Sequence, residues 1–118
     1  EVLFQQQSKI IRELAEEGDC IFVGRCADYV LRDREQCKHI YLYAPEDSRI
    51  HTIMNRYGMN EKAAANLMKK VDKDRRYYYN YHTDQKWEAF QNYDLTLNTA
   101  SFSLEEILDI LEHVFQQL

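Results

Sequence analysis

Cys20-Ile21-Phe22-Val23-Gly24-Arg25-Cys26-Ala27-Asp28 is the stretch on which the fold turns. Its first four residues form an apolar run of strand length without polar alternation. Such a run reads as a strand covered on both faces, the habit of parallel sheets. Gly24 lets the chain turn at once, and the sequence then predicts a short helix over 27–31. Upstream, the spacing predicts a helix over 3–17, stopped by Gly18. The opening Glu1-Val2-Leu3-Phe4-Gln5 resembles a protease site used to remove expression tags. Gln6 and Gln7 follow it instead of Gly-Pro, however, and Leu3, Phe4, Gln7, Ile10, Ile11 and Leu14 continue one helical stripe. We therefore take these residues as native.

Downstream, residues 32–38 are polar and read as a loop. A second strand is expected over 39–43, rich in β-formers. Ala44-Pro45 turns the chain, with Pro at a helix start. A helix over 46–57 ends at Gly58, and Asn60 caps a longer one over 61–82, with Ala64, Leu67, Met68 and Val71 on one side. Residues 87–93 are aromatic and irregular. Leu95-Thr96-Leu97-Asn98 is a third strand. Ser103 with Glu106 makes a capping-box pattern, opening a helix striped with Leu104, Ile107, Leu108, Leu111, Val114 and Phe115. The order α-β-α-β-α-α-β-α predicts an α/β fold, three layers α-β-α around a parallel sheet with right-handed crossovers.

With 118 residues the chain has room for one domain and not two. A formal charge of −5 speaks against a general nucleic-acid binder, which needs a basic surface. A local basic cluster remains compatible with one small anionic ligand. No apolar run approaches a membrane span and no signal-peptide pattern is present. Cys20, Cys26 and Cys37 are odd in number and lack CxxC spacing, which argues against a disulfide framework or zinc site and fits a reducing cytoplasm. Cys20, inside the apolar run, reads as a small core residue.

Ligands of open parallel sheets sit outside the carboxyl ends of the strands. Gly24-Arg25, Tyr43-Ala44-Pro45 and Asn98-Thr99-Ala100 fall there. Gly24 permits close backbone approach, and Arg25 offers a planar fork suited to phosphate; a salt bridge at a strand end is the plainer role. The run from Lys69 to Tyr79 carries Asp72 and Arg75 at i, i+3, with Arg76 at i+4 from Asp72. It is either a solvated helix with internal ion pairs or an arginine cluster that stabilises a transferring phosphoryl group, its carboxylate orienting an arginine or reading a base. Tyr77, Tyr78, Tyr79 and Tyr81 span more than one face and read mostly as packing residues. His39, His51, His82 and His113 have neither metal-ligand spacing nor a nucleophile beside them.

Taken in order, Leu3-Phe4, Ser8, Ile11-Arg12-Glu13-Leu14-Ala15, Ile21-Phe22-Val23-Gly24-Arg25-Cys26-Ala27-Asp28, Asp72-Lys73-Asp74-Arg75, Tyr78-Tyr79, Trp87 and Asn92-Tyr93-Asp94-Leu95-Thr96-Leu97-Asn98-Thr99 resemble the cytidylate kinase-like proteins, within the P-loop nucleoside monophosphate kinases. The resemblance runs through nearly all of the chain. It implies a five-stranded parallel sheet, a mobile lid (here about 46–85), and transfer of the ATP γ-phosphoryl to a pyrimidine monophosphate such as CMP, with Mg2+. It further implies that Gly24 and Arg25 hold the acceptor phosphate, and that Arg49 and Arg56 face the phosphoryl groups from the lid. Asp72 and Arg75 would stand near the acceptor nucleotide, and Asn98, Thr99 and Ala100 against the adenine.

Two departures from that pattern matter. Cys26 stands where cytidylate kinases usually carry Asp, which favours the cytidylate kinase-like branch. No Gly-x-x-x-x-Gly-Lys-[Ser/Thr] loop occurs; Gly18, Gly24 and Gly58 are too isolated to cradle a triphosphate. In the family the strand before that loop lies between those bearing Val23 and Tyr41. The expectation is a domain incomplete at its N-terminus, with about 80 further residues upstream, or a partner chain supplying the strand, as in a strand-exchanged homo-oligomer. On this view the 118 residues bind neither ATP nor Mg2+ strongly by themselves. A kinase fold retired into a nucleotide-binding or dimerisation module is the alternative.

Overall fold

The computed structural model describes residues 2–118. Helix α1, Val2–Glu17, follows the predicted stripe and buries Ser8, Ile11 and Ala15, one or two turns apart on a single face. That face meets α2, Ala27–Val30, in a small core of Ile11, Ala15, Ala27 and Leu31, with Phe22, Val30 and Cys37 packed against it.

Residues 20–23 depart from expectation. They form no ladder, Ile21 is 81 % and Val23 91 % exposed, and only Phe22 turns inward. Cys20, expected in the core, is also exposed. The sequence carries the composition of a strand covered on both faces. A strand also needs a hydrogen-bonding neighbour, and no strand lies beside this run among the described residues.

The sheet is accordingly small. Strand β1, Ile40–Tyr43, pairs in parallel with β2, Leu95–Asn98, in the register Ile40 to Leu95 and Tyr43 to Asn98. Its ends are tied off: the His39 amide donates to the Asp94 carboxylate at 2.7 Å, and the Thr99 amide donates to the Tyr43 carbonyl at 2.8 Å. Tyr41 packs against Trp87 and Tyr93, which gives the aromatic stretch before β2 its purpose. The architecture is thus a mostly helical α/β domain around two parallel strands rather than the three read from the sequence.

Between the strands stand α3, Glu46–Tyr57, and α4, Glu61–Thr83, packed against each other. Gly58, at φ +65°, lets the chain leave α3 in the left-handed region, its amide donating to the Met54 carbonyl. The Asn60 side chain then accepts from the Ala63 amide at 2.8 Å to start α4. Ala64 and Met68 are fully buried between the helices. Helix α5, Leu104–Gln116, opens with the predicted capping box of Ser103 and Glu106. It buries Ile107 yet leaves Leu104 and Leu108 exposed. No described helix is long and apolar enough to cross a membrane.

Candidate functional site

A cavity of about 380 Å³ opens where α3, α4 and the carboxyl ends of both strands meet. Helix α3 contributes Ser48, Arg49, Thr52 and Arg56, which recur at helical spacing along one face. Helix α4 contributes an apolar floor of Leu67, Met68 and Val71, and Arg75 one turn beyond. Ala44 closes the cavity from the end of β1, Thr99 and Ala100 from the end of β2. The volume lies in the range of small-molecule sites.

Three guanidinium groups line the cavity, those of Arg49 and Arg56 from α3 and that of Arg75 from α4. Arg49 is fixed. Its Nη1 and Nη2 donate to the two oxygens of Asp72 at 2.8 and 2.6 Å, a bidentate fork between α3 and α4. Asp72 is 6 % exposed, so the contact is partly withdrawn from solvent. This hydrogen bond is the main reason the Arg49 guanidinium sits above its ordinary pKa, against the opposing effect of burial. Arg56 and Arg75 have no hydrogen bond or ion pair among the described residues. The cavity lining therefore carries two positive charges with no ion-pair partner among the described residues, a chemistry that suits an anion. Arg56 also lies in the last turn of α3, where a cation is favourable without any ligand.

Of the residues singled out by sequence, Arg49, Arg56, Arg75, Thr99 and Ala100 share this cavity. Asp72 stands behind it, gripping Arg49. Neither helix-internal partner expected for Asp72 engages it: Arg75 has no ion pair among the described residues and Arg76 pairs with Glu88, while the helix does carry one internal pair, Lys70 with Asp74. Asn98 accepts from the Ala100 amide and shapes the turn after β2 instead of lining the cavity. Gly24 and Arg25 are outside the cavity wall, on the turn before α2.

That turn is strained. Gly24, Arg25 and Cys26 lie consecutively at φ +73°, +57° and +57°. A non-glycine residue held there costs roughly 1–2 kcal/mol, and such positions concentrate at functional sites. Arg25 is exposed and forms no salt bridge among the described residues, so the plainer strand-end role does not apply. Beneath it the Cys26 thiol is buried and pushed up to about 11, first by burial and then by the charge of Asp28. Ser48 and Thr52 were not anticipated. Their spacing from Arg49 and Arg56 on α3 was the available signal.

Comparison with known proteins adds three findings. A family model described as the cytidylate kinase-like family matches residues 1–101. A protein named uronate isomerase, from Corynebacterium glutamicum, is 28 % identical over 113 residues, covering 94 % of this chain and 21 % of its own length. The chain thus spans about a fifth of that curated relative. A solved structure of an uncharacterized protein from Eubacterium ventriosum superposes with a TM-score of 0.90 at 28 % identity, over 98 % of this chain and 65 % of the other.

Proposed function

The chain belongs to the cytidylate kinase-like family, and from that premise we propose that it is the acceptor- and lid-bearing part of a phosphotransferase acting on a pyrimidine nucleoside monophosphate such as CMP, with ATP as donor. The observation that carries this is the convergence of Arg49, Arg56 and Arg75 with Thr99 and Ala100 on one cavity. Phosphoryl transfer needs little covalent help from protein; it needs positioning and positive charge around the three equatorial oxygens. In this proposal Arg56 and Arg75 meet those oxygens, Arg49 is presented by Asp72, Arg25 holds the acceptor phosphate, and the turn of Asn98, Thr99 and Ala100 lies against the adenine. The helices α3 and α4 act as the lid.

The cavity wall does not suit Mg2+. Its charged side chains are guanidiniums, Asp72 is already engaged by Arg49, and no cluster of metal-ligating residues occurs among the described residues. In this proposal the metal would sit with the donor phosphates, outside this cavity wall. The exposed run of Ile21 and Val23 and the free edge of β1 support a further proposal: a strand carrying the phosphate-binding loop inserts between them, completing a three-layer nucleoside monophosphate kinase-like sheet.

Titration calorimetry of the protein carrying this chain is the test. CMP and a non-hydrolysable ATP analogue should both bind, and Arg56→Ala or Arg75→Ala should each lower transfer about tenfold to a hundredfold. A protein that binds neither nucleotide overturns the proposal; one that binds both without transfer is the retired module. The isomerase name of the Corynebacterium protein calls for one control, since guanidiniums also grip carboxylates. A uronate that binds more tightly than CMP decides against the phosphotransferase.

A further inference from the structure

Among the buried polar groups of helix α4, Asp72 and Tyr79 stand two turns apart on one side. Asp72 reaches the cavity by gripping Arg49. Tyr79 reaches the other way: its hydroxyl donates to Asp28 Oδ2 at 2.7 Å, across 51 residues of sequence. Asp28 is the second residue of α2, and that helix is joined to the strained turn by hydrogen bonds from the Ala27 amide to the Gly24 carbonyl and from the Val30 amide to the Cys26 carbonyl. The Tyr93 hydroxyl, bonded to the Trp87 carbonyl, lies against that of Tyr79 and closes the link from the side of β2.

A strained run of left-handed residues persists only where its surroundings over-determine it. Gly24 has no side chain, and Arg25 is exposed and makes no ion pair among the described residues that would hold the turn. What holds it is α2 below, and what holds α2 to α4 by a polar bond is Tyr79. We propose that Tyr79 and Asp28 are positioning residues for Arg25: their hydrogen bond fixes the Gly24-Arg25-Cys26 turn on α4, the helix that also carries Arg75 and, through Asp72, presents Arg49. One rigid element then sets the spacing between the acceptor arginine and the cavity arginines. The part of this that concerns Arg25 as an acceptor-phosphate ligand rests on the function proposed above; the mechanical link does not.

The test has two independent readouts in the protein carrying this chain. In a Cys20→Ser, Cys37→Ser background, Cys26 is the one remaining thiol of this chain, buried under the turn. Tyr79→Phe should speed its alkylation at pH 8 about tenfold. Asp28→Ala should label faster than Asp28→Asn, because both variants remove the charge that holds the thiol neutral and only Asn keeps an acceptor for the tyrosine hydroxyl; equal labelling of the two would overturn the link. Asn60→Ala, which weakens α4 at its far end, should leave Cys26 slow and so exclude general loosening. Unchanged labelling in Tyr79→Phe overturns the link. The second readout is CMP affinity, expected to fall about tenfold in Tyr79→Phe but not further when Arg25→Ala is already present. Faster labelling with unaltered CMP affinity overturns the positioning of Arg25. A parent protein that does not bind CMP sinks the phosphotransferase instead, and the thiol measurement still decides the link.

Discussion

Asp72 bears more than its place in the sequence suggests. Its carboxylate is the fixed point for Arg49, and removing it strands a guanidinium that is one-third exposed. Breaking a fully buried pair costs about 3–5 kcal/mol; the partial exposure of Arg49 brings the expected loss for Asp72→Ala down to about 1–3 kcal/mol. Thermal melting should register this as a drop of several degrees, with anion affinity of the cavity falling as Arg49 loses its presented geometry. A variant that melts and binds like the parent would show the fork to be incidental. Cys26 makes a separate prediction, in pH. The fold raises its thiol from 9.0 to about 11, so it favours the neutral form. That stability is fully present below about pH 9 and is lost as pH rises through about 11. Tyr79 and Tyr93, raised chiefly by burial, act in the same sense at higher pH. Urea midpoints should therefore fall between pH 8.5 and 11, and Cys26→Ala should flatten that slope; an equal slope in the variant would exclude the thiol as its source.

At the scale of elements, helices were legible and one strand was not. Gly58 closing α3, Asn60 opening α4 and the Ser103–Glu106 box opening α5 are local devices, in which the residues that satisfy the orphan amides and carbonyls sit within a few positions of the helix end. The ends of β2 were equally plain. The Ile21-Phe22-Val23 run failed because pairing is not local: a strand is defined by the chain beside it, and no signal within four residues says whether that chain is there. The site divides in the same way. Arg49 and Arg56 on α3 were pointed to by the resemblance alone, and Arg75 on α4 by its spacing from Asp72 together with the resemblance. The Arg49–Asp72 fork and the Tyr79–Asp28 bond join residues 23 and 51 positions apart, and no spacing rule reaches that far. Tyr79 among four tyrosines looked like packing for that reason.

The whole molecule exposes more than its mass accounts for. A folded monomer of 14.2 kDa is expected to present about 6,800 Å² of surface, and this chain presents 9054 Å². Its radius of gyration, 15.9 Å, exceeds the roughly 13.5 Å of a compact chain of this length. The difference in area, about 2,300 Å² on one chain, is of the order that permanent interfaces bury. The exposed apolar groups include Ile21 and Val23 beside the turn, Leu42 and Tyr43 on β1, and Leu104, Leu108 and Phe115 on α5. Single exposed apolar residues need no explanation, but an extended run, an open parallel edge and an amphipathic stripe together are a surface that water does not tolerate uncovered. The 118 residues expressed alone should therefore self-associate: light scattering should return a mass above 14.2 kDa that rises with concentration. Ile21→Thr with Val23→Thr should lower the association by removing the most exposed apolar pair while leaving the cores of α1–α2 and α3–α4 intact. A monodisperse monomer at high concentration would mean that the excess surface is stable in water as it stands, and the proposed inserted strand would lose its physical basis.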